Sequence, residues 1–175
     1  EVTGNVLNVK KVVVSKESAG MGWGAVYAEF EEDVDEVSAQ GNALKVQRTL
    51  LKDGQPLGEG TTLQVGDKLT IRLTINADRD MDFVQVKDER AACLEPVEAL
   101  SGYRWNQRLG YYQETKDAST SFYLDQLRKG TYNLEYEVYV TSSGRYSQGI
   151  PVVQSVYAPE FIGHGSSSVI VISSE

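Results

Sequence analysis

The sequence predicts an all-β protein, an antiparallel β-sandwich, on three observations. Residues 69–75, 83–87 and 132–140 alternate apolar with polar side chains, the period-2 pattern of strands buried on one face. Turn residues punctuate the chain at short intervals: Asp53-Gly54, Val65-Gly66-Asp67, Lys129-Gly130 and Ser142-Ser143-Gly144. No segment carries the 3.6-residue periodicity of an amphipathic helix, so the elements are strands joined by turns.

Taken in order, further strands are predicted at 6–14, 25–30, 44–51, 119–124, 151–157 and 168–172. The acidic run 31–36 reads as a solvated linker. Residues 1–40 hold too few strands to bury a core of their own, so they are expected to be the tail of a neighbouring domain plus the linker. Residues 41–175 hold enough for a whole sandwich. The chain starts at Glu1 with no initiator Met, leader or lipidation box, which predicts a piece of a longer protein.

Composition narrows the function classes. A net charge of −8 with scattered Lys and Arg disfavours nucleic acid, because phosphate contacts need clustered cations. Apolar runs such as 169–172 are far too short to span a bilayer. One cysteine cannot form an intrachain disulfide or a multi-cysteine metal site.

Each residue that could carry chemistry also has a plainer reading. His164, the only histidine, sits between glycines near Ser166, Ser167 and Ser168, with nothing local to orient the ring as a catalytic base requires. Asp78, Asp80 and Asp82 have the D-x-D-x-D spacing of a calcium loop, but Phe83 stands where the obligatory Gly belongs; a hairpin turn whose aspartates accept backbone N–H groups is expected instead. Cys93-Leu94-Glu95 begins like the Cys-x-Glu-Gln internal thioester, but Pro96 replaces the glutamine that supplies the acyl group. Cys93 is therefore expected to be a packed side chain, with Pro96 ending its strand or confining it to an edge. No catalytic, cofactor or metal residue is expected. Segment 102–112, with Tyr103, Trp105, Tyr111 and Tyr112 beside Arg104 and Arg108, reads either as a docking surface or as a hairpin covering one end of a sheet.

Several motifs resemble the C-terminal end of bacterial alpha-2-macroglobulin-like proteins. They are Trp23-Gly24-Ala25-Val26-Tyr27, Asp78-Arg79-Asp80-Met81-Asp82-Phe83-Val84, Lys87-Asp88-Glu89-Arg90, Ser101-Gly102-Tyr103-Arg104-Trp105, Lys129-Gly130-Thr131-Tyr132 and Tyr157-Ala158-Pro159-Glu160-Phe161. The resemblance implies a final, immunoglobulin-like macroglobulin domain without catalysis at 41–175, preceded in 1–40 by the C-terminal strands of a connecting, CUB-like β domain. It implies a parent in the periplasm or cell envelope, anchored as a lipoprotein, that traps proteases. The partners so implied are the thioester/helical domain of the same parent chain and the parent's target proteases. No nucleic acid and no membrane contact are expected for the fragment itself. For docking against the thioester/helical domain the resemblance points to Val156, Tyr157, Ala158 and Pro159. The alternative reading is a carbohydrate- or protein-binding β-sandwich module that uses the aromatic hairpin from Tyr103 to Tyr112.

Overall fold

The computed structural model describes residues 13, 15, 17–22, 37–58, 61–106 and 109–174. The strands expected at 25–30 and across most of 6–14, the acidic linker and the Trp23 motif lie outside the described residues. The chain divides into two compact units, Glu1–Glu32 and Asp33–Glu175. The second unit already includes Val37, whose carbonyl accepts the Ser167 N–H at 3.2 Å, ahead of the expected boundary at residue 41.

Among the described residues the second unit is all strand, in three sheets. In chain order the strands are β1 (Gln40–Gly41), β2 (Leu44–Lys52), β3 (Gln55–Pro56), β4 (Leu63–Gln64), β5 (Lys68–Ala77), β6 (Met81–Glu89), β7 (Leu94–Pro96) and β8 (Gly102–Asn106). They continue as β9 (Leu109–Thr115), β10 (Ser119–Leu127), β11 (Gly130–Val140), β12 (Gly144–Gln148), β13 (Val152–Ser155), β14 (Ile162–His164) and β15 (Ser168–Ser173). One sheet has the order β1-β14-β13-β6-β10-β9-β8 and the second β3-β2-β5-β11-β7. A small third sheet, β12-β15-β4, contains the one parallel pair of the described residues, β15 with β4.

The core lies between the two large sheets and follows from alternation. Leu69, Ile71, Leu73 and Ile75 of β5 and Leu134, Tyr136 and Val138 of β11 point one way; Val84, Val86, Phe122, Leu124 and Val153 meet them from the other sheet. Asp53 and Gly54, at φ 52° and 78°, make the two-residue hairpin from β2 to β3, where positive φ at both positions matches the twist of the strands.

The segment Asp78-Arg79-Asp80 is not the hairpin expected from sequence. β5 belongs to the five-stranded sheet and β6 to the seven-stranded one, so the segment crosses the sandwich. Its acids do satisfy backbone, as Asp80 Oδ1 accepts the Lys129 N–H at 2.7 Å. The Cys93 reading agrees with the structure: its side chain is wholly buried, and β7, ending at Pro96, is the edge strand beside β11. His164 lies in β14, not in a free loop; its Nδ1 is 3.1 Å from the Gly165 carbonyl, and no carboxylate partners it among the described residues.

A buried polar group ties the sheets together. Arg48 of β2 reaches across to β6, with Nη1 2.7 Å from Asp88 Oδ1, and donates to the carbonyls of Glu89 and Gly149. Tyr136 of β11 donates its O–H to Asp88 Oδ2 at 2.6 Å. Nearby, Arg90 donates to Thr120 Oγ1 and to the carbonyls of Lys116 and Asp117.

Burial, and then the charge of Asp88, hold the Tyr136 phenol well above its ordinary value of 10.0. A phenol whose pKa is raised by folding contributes stability that is fully present below about pH 10 and lost as pH rises further, at ~1.4 kcal/mol per pH unit. Denaturant titrations at stepped alkaline pH should show this fall, and Tyr136→Phe should flatten it. An unchanged slope in the variant would assign the fall to other tyrosines.

Candidate docking face

The outer faces of the two large sheets differ in kind. On the five-stranded sheet the outward residues of β5 and β11 satisfy one another. Arg72 Nε lies 2.5 Å from Glu135 Oε1, Lys68 pairs Glu137 at 2.8 Å, Thr74 donates to Asn133 and Asn76 to Thr131. That face is polar and self-paired, with Tyr139 the exposed ring at its end.

The seven-stranded sheet turns aromatic side chains outward among polar ones, with Gln85, Lys87, Glu114 and Gln154 on the same face. Cross-strand register sets Tyr103, Tyr112, Tyr123, Gln85, Gln154 and Ile162 in one row across β8, β9, β10, β6, β13 and β14. Tyr103 and Tyr112 meet edge to face at 5.2 Å, and Tyr112 and Tyr123 lie 6.5 Å apart. Such pairs add roughly 0.5–1.5 kcal/mol beyond area burial, so the rings form an ordered platform. Trp105 lies opposite Gly110, and a Cβ at Gly110 would come within 2.6 Å of the indole. The bare glycine therefore lets the indole lie against β9.

At the far end of this face stands the 156–161 loop. The Ser155 N–H donates to the Phe161 carbonyl at 3.0 Å and the Phe161 N–H to Ala158 at 2.9 Å, which closes the loop on itself. Asn42 Nδ2 donates to the Glu160 carbonyl at 2.7 Å, and the Arg79 guanidinium sits 5.1 Å over the Phe161 ring. Tyr157 is 76% exposed, with its ring edge to face against Phe83 at 4.9 Å.

Phe83 is held at φ 52°, a left-handed conformation that is a genuine outlier for a bulky residue. It breaks the alternation of β6, so that Asp82 and Phe83 are both exposed, and its carbonyl accepts the Val156 N–H at 2.8 Å. Local strain of this kind persists only where the surroundings enforce it, and it concentrates at functional positions.

The residues expected at an interface thus share one face. Val156 and Tyr157 lie on it, and Ala158 and Pro159 complete the loop that carries them. Tyr103 and Trp105, 81% and 76% exposed, and half-buried Tyr112 occupy its other end. Four strand spacings of ~4.8 Å separate β8 from β13, about 19 Å in all. Tyr111 differs: at 8% exposure it points into the core against Phe122, because neighbouring residues of a strand face opposite ways. Phe83 and Tyr123 belong to the face and were not singled out from sequence; Phe83 in particular gains its place only through its backbone angle.

Residues 43–160 match the family described as Bacterial Alpha-2-macroglobulin MG10 domain. The chain belongs to that family. An alpha-2-macroglobulin homolog from Nostoc sp. is 30% identical over 138 residues, which is 74% of this chain and 7% of the relative. A tyrosine-to-glycine mutant of Salmonella alpha-2-macroglobulin superposes with a TM-score of 0.67 at 22% identity, covering 79% of this chain and 10% of that one. Escherichia coli alpha-2-macroglobulin activated by porcine elastase gives 0.67 at 18% identity, covering 79% and 14%. These superpositions establish the immunoglobulin-like sandwich of a macroglobulin domain. The MG10 chain described here spans a small fraction of each relative's length.

Proposed function

We propose that this MG10 domain is the non-catalytic C-terminal element of a bacterial protease-trapping inhibitor. It docks against and shields the thioester/helical domain of its parent chain through the outer face of the seven-stranded sheet. The observation that carries this reading is the strained Phe83–Tyr157 pair, held out from a pinned loop on the large face that carries the exposed aromatic row. Exposed, preordered aromatics are the residues from which interface hot spots are made, since little entropy is lost when they are covered. A ring seated over a reactive bond excludes water from it, and lifting the domain exposes the bond. The relative activated by porcine elastase supports proteases as the parent's targets. We place the parent in the periplasm or cell envelope as a lipoprotein, which fractionation of the parent's host tests.

The chain should bind a parent truncated to lack it, measured by surface plasmon resonance. Tyr157→Ala should weaken that binding by roughly 30-fold, the equivalent of ~2 kcal/mol at a hot spot. Equal affinity for variant and native chains would remove Tyr157 from the contact. The isolated chain should slow no endopeptidase, and stoichiometric inhibition by it would contradict the trap-subunit reading.

A second reading is favoured by the exposure of Tyr103 and Trp105 at the other end of the face. That edge could hold a carbohydrate or protein ligand of its own, since sandwiches host unrelated sites. Glycan-array binding that disappears on Trp105→Ala would support it over the docking reading.

A further inference from the structure

One cleft of the domain is not used by the docking face. It lies where β2 of the five-stranded sheet and β15 of the three-stranded sheet run beside each other unpaired. β2 pairs β5 along one side; on the other it pairs β3 at Leu51 and Lys52, and Gly163 and Gly165 pack against its Leu44 and Val46 carbonyls, which leaves the stretch around Arg48 uncovered. β15 pairs β12 along one side, and on the other it pairs β4 only at Ile172 and Ser173. The space between is about 620 Å³, lined by Arg48, Leu50, Leu57, Leu63, Gln148 and Ile170 among others.

Backbone and side-chain chemistry together say what fits. Leu50 turns its carbonyl away from β5 to accept the Leu57 N–H at 2.9 Å. Val46 turns its carbonyl the same way, since a Cβ on Gly165 would sit 3.0 Å from it. The alternation of a strand puts the Arg48 N–H and C=O, midway between, on that same side and facing the cleft. Among the described residues they have no backbone partner there.

Gln148, 1% exposed, lines the same space, and neither its Oε1 nor its Nε2 makes a hydrogen bond. Buried amides in folded proteins are almost always paired, so this one calls for a partner that the protein's own groups do not supply. It offers one acceptor and one donor side by side, the complement of a peptide unit. The Arg48 guanidinium contributes no open charge, being spent on Asp88, Glu89 and Gly149. Gln47, Thr49, Thr61 and Ser168 also line the space, so the cleft offers neutral amides, hydroxyls and apolar side chains but no open charge.

We propose that the cleft between β2 and β15 binds an extended, uncharged peptide segment of a partner polypeptide, laid between Arg48 of β2 and the open edge of β15 with one of its amides paired to Gln148. Main-chain hydrogen bonds would supply the affinity, as in other edge-strand additions, and Leu50, Leu57, Leu63 and Ile170 would receive alternate side chains.

The probe is a displayed library of short random peptides selected against the whole chain, with binders mapped by NMR on isotope-labelled chain. Selected peptides should be neutral and free of proline. They should shift the Arg48, Val169 and Val171 amides and the Gln148 side-chain amide, and protect the Arg48 N–H from exchange. Methylating alternate backbone nitrogens of a selected peptide should abolish binding. Gln148→Leu should weaken it at least tenfold while leaving the melting temperature equal or higher, because the lost amide had no partner. Gln148→Glu keeps the shape, removes the donor and should weaken binding equally. Tyr157→Ala should leave it unchanged. Recovery of no peptide that moves these resonances, indifference to N-methylation or to both Gln148 variants, or shifts confined to the Tyr103–Tyr157 face would each overturn the proposal.

Discussion

Replacing Arg48 with methionine should destabilise the domain by about 3–5 kcal/mol, the cost of stripping one partner from a buried ion pair. The two side chains are 3% and 0% exposed, and they join β2 to β6 across the sandwich. With Arg48 gone, Asp88 keeps the Tyr136 hydroxyl but has lost the guanidinium 2.7 Å away. Burial already pushes the Asp88 carboxyl above its ordinary value, against the pull of Arg48 and Tyr136. Without Arg48 that upward push goes less opposed, so the carboxyl of the folded variant holds its proton to higher pH than in the native chain. A carboxyl whose pKa is raised by folding contributes stability that is present below its unfolded value and lost as pH rises through the folded one. The deficit of Arg48→Met relative to the native chain should therefore be largest near neutral pH, shrink as pH falls toward the ordinary carboxylate range, and be smallest by about pH 4. The triple change Arg48→Met, Asp88→Leu and Tyr136→Phe should recover most of the loss, because the desolvation costs disappear together with the attractions. Urea denaturation at neutral and acid pH reads all of these. A native-like midpoint for Arg48→Met at neutral pH would show that the pair holds nothing.

Strong alternation made the central strands legible. Residues 69–75 and 132–140 fall inside β5 and β11 because each has one wet face and one buried face, a requirement written residue by residue. The short strands β12 and β14 were not legible, since three to five residues carry no period and their pairing comes from neighbours distant in the chain, and β7 showed only through Pro96 at its end. Nor could the sequence say that Asp78–Asp80 changes sheets, because a turn encodes its own geometry and not the partner of the strand it feeds. Aromatic density between residues 102 and 112 marked half of the candidate docking face. Alternation alone separates Tyr111 from Tyr112, so the inward turn of Tyr111 was available in the pattern. The joining of both segments on one sheet was not, because it depends on the pairing of β6 with β10 and β13. The buried network left one trace: Arg48 follows Leu44 and Val46, and Asp88 follows Val84 and Val86, each charge standing at an inward position where a strand should place an apolar side chain.

Phe122→Ala should cost about 3–5 kcal/mol, a second effect of similar size with a different origin. Phe122 is wholly buried in β10, with Tyr111 edge to face at 5.6 Å and Tyr136 at 6.1 Å. Truncation removes the ring and leaves a cavity that the flanking tyrosines are poorly able to fill. Tyr111 is anchored in β9, and Tyr136 is fixed by its hydrogen bond to Asp88. That second restraint couples the aromatic stack to the ion pair, so the losses should not add. In Tyr136→Phe the ring is freed from Asp88 and can relax toward the cavity, which makes Phe122→Ala less damaging in that background. A double-mutant cycle should return a coupling of roughly 0.5–3 kcal/mol, the range for residues sharing a network. Strict additivity would mean that Tyr136 serves Asp88 and the core independently. Because Phe122 faces inward while Tyr123 beside it faces out, any folded Phe122 variant should still bind the truncated parent. Stability and docking would then separate along adjacent residues of a single strand.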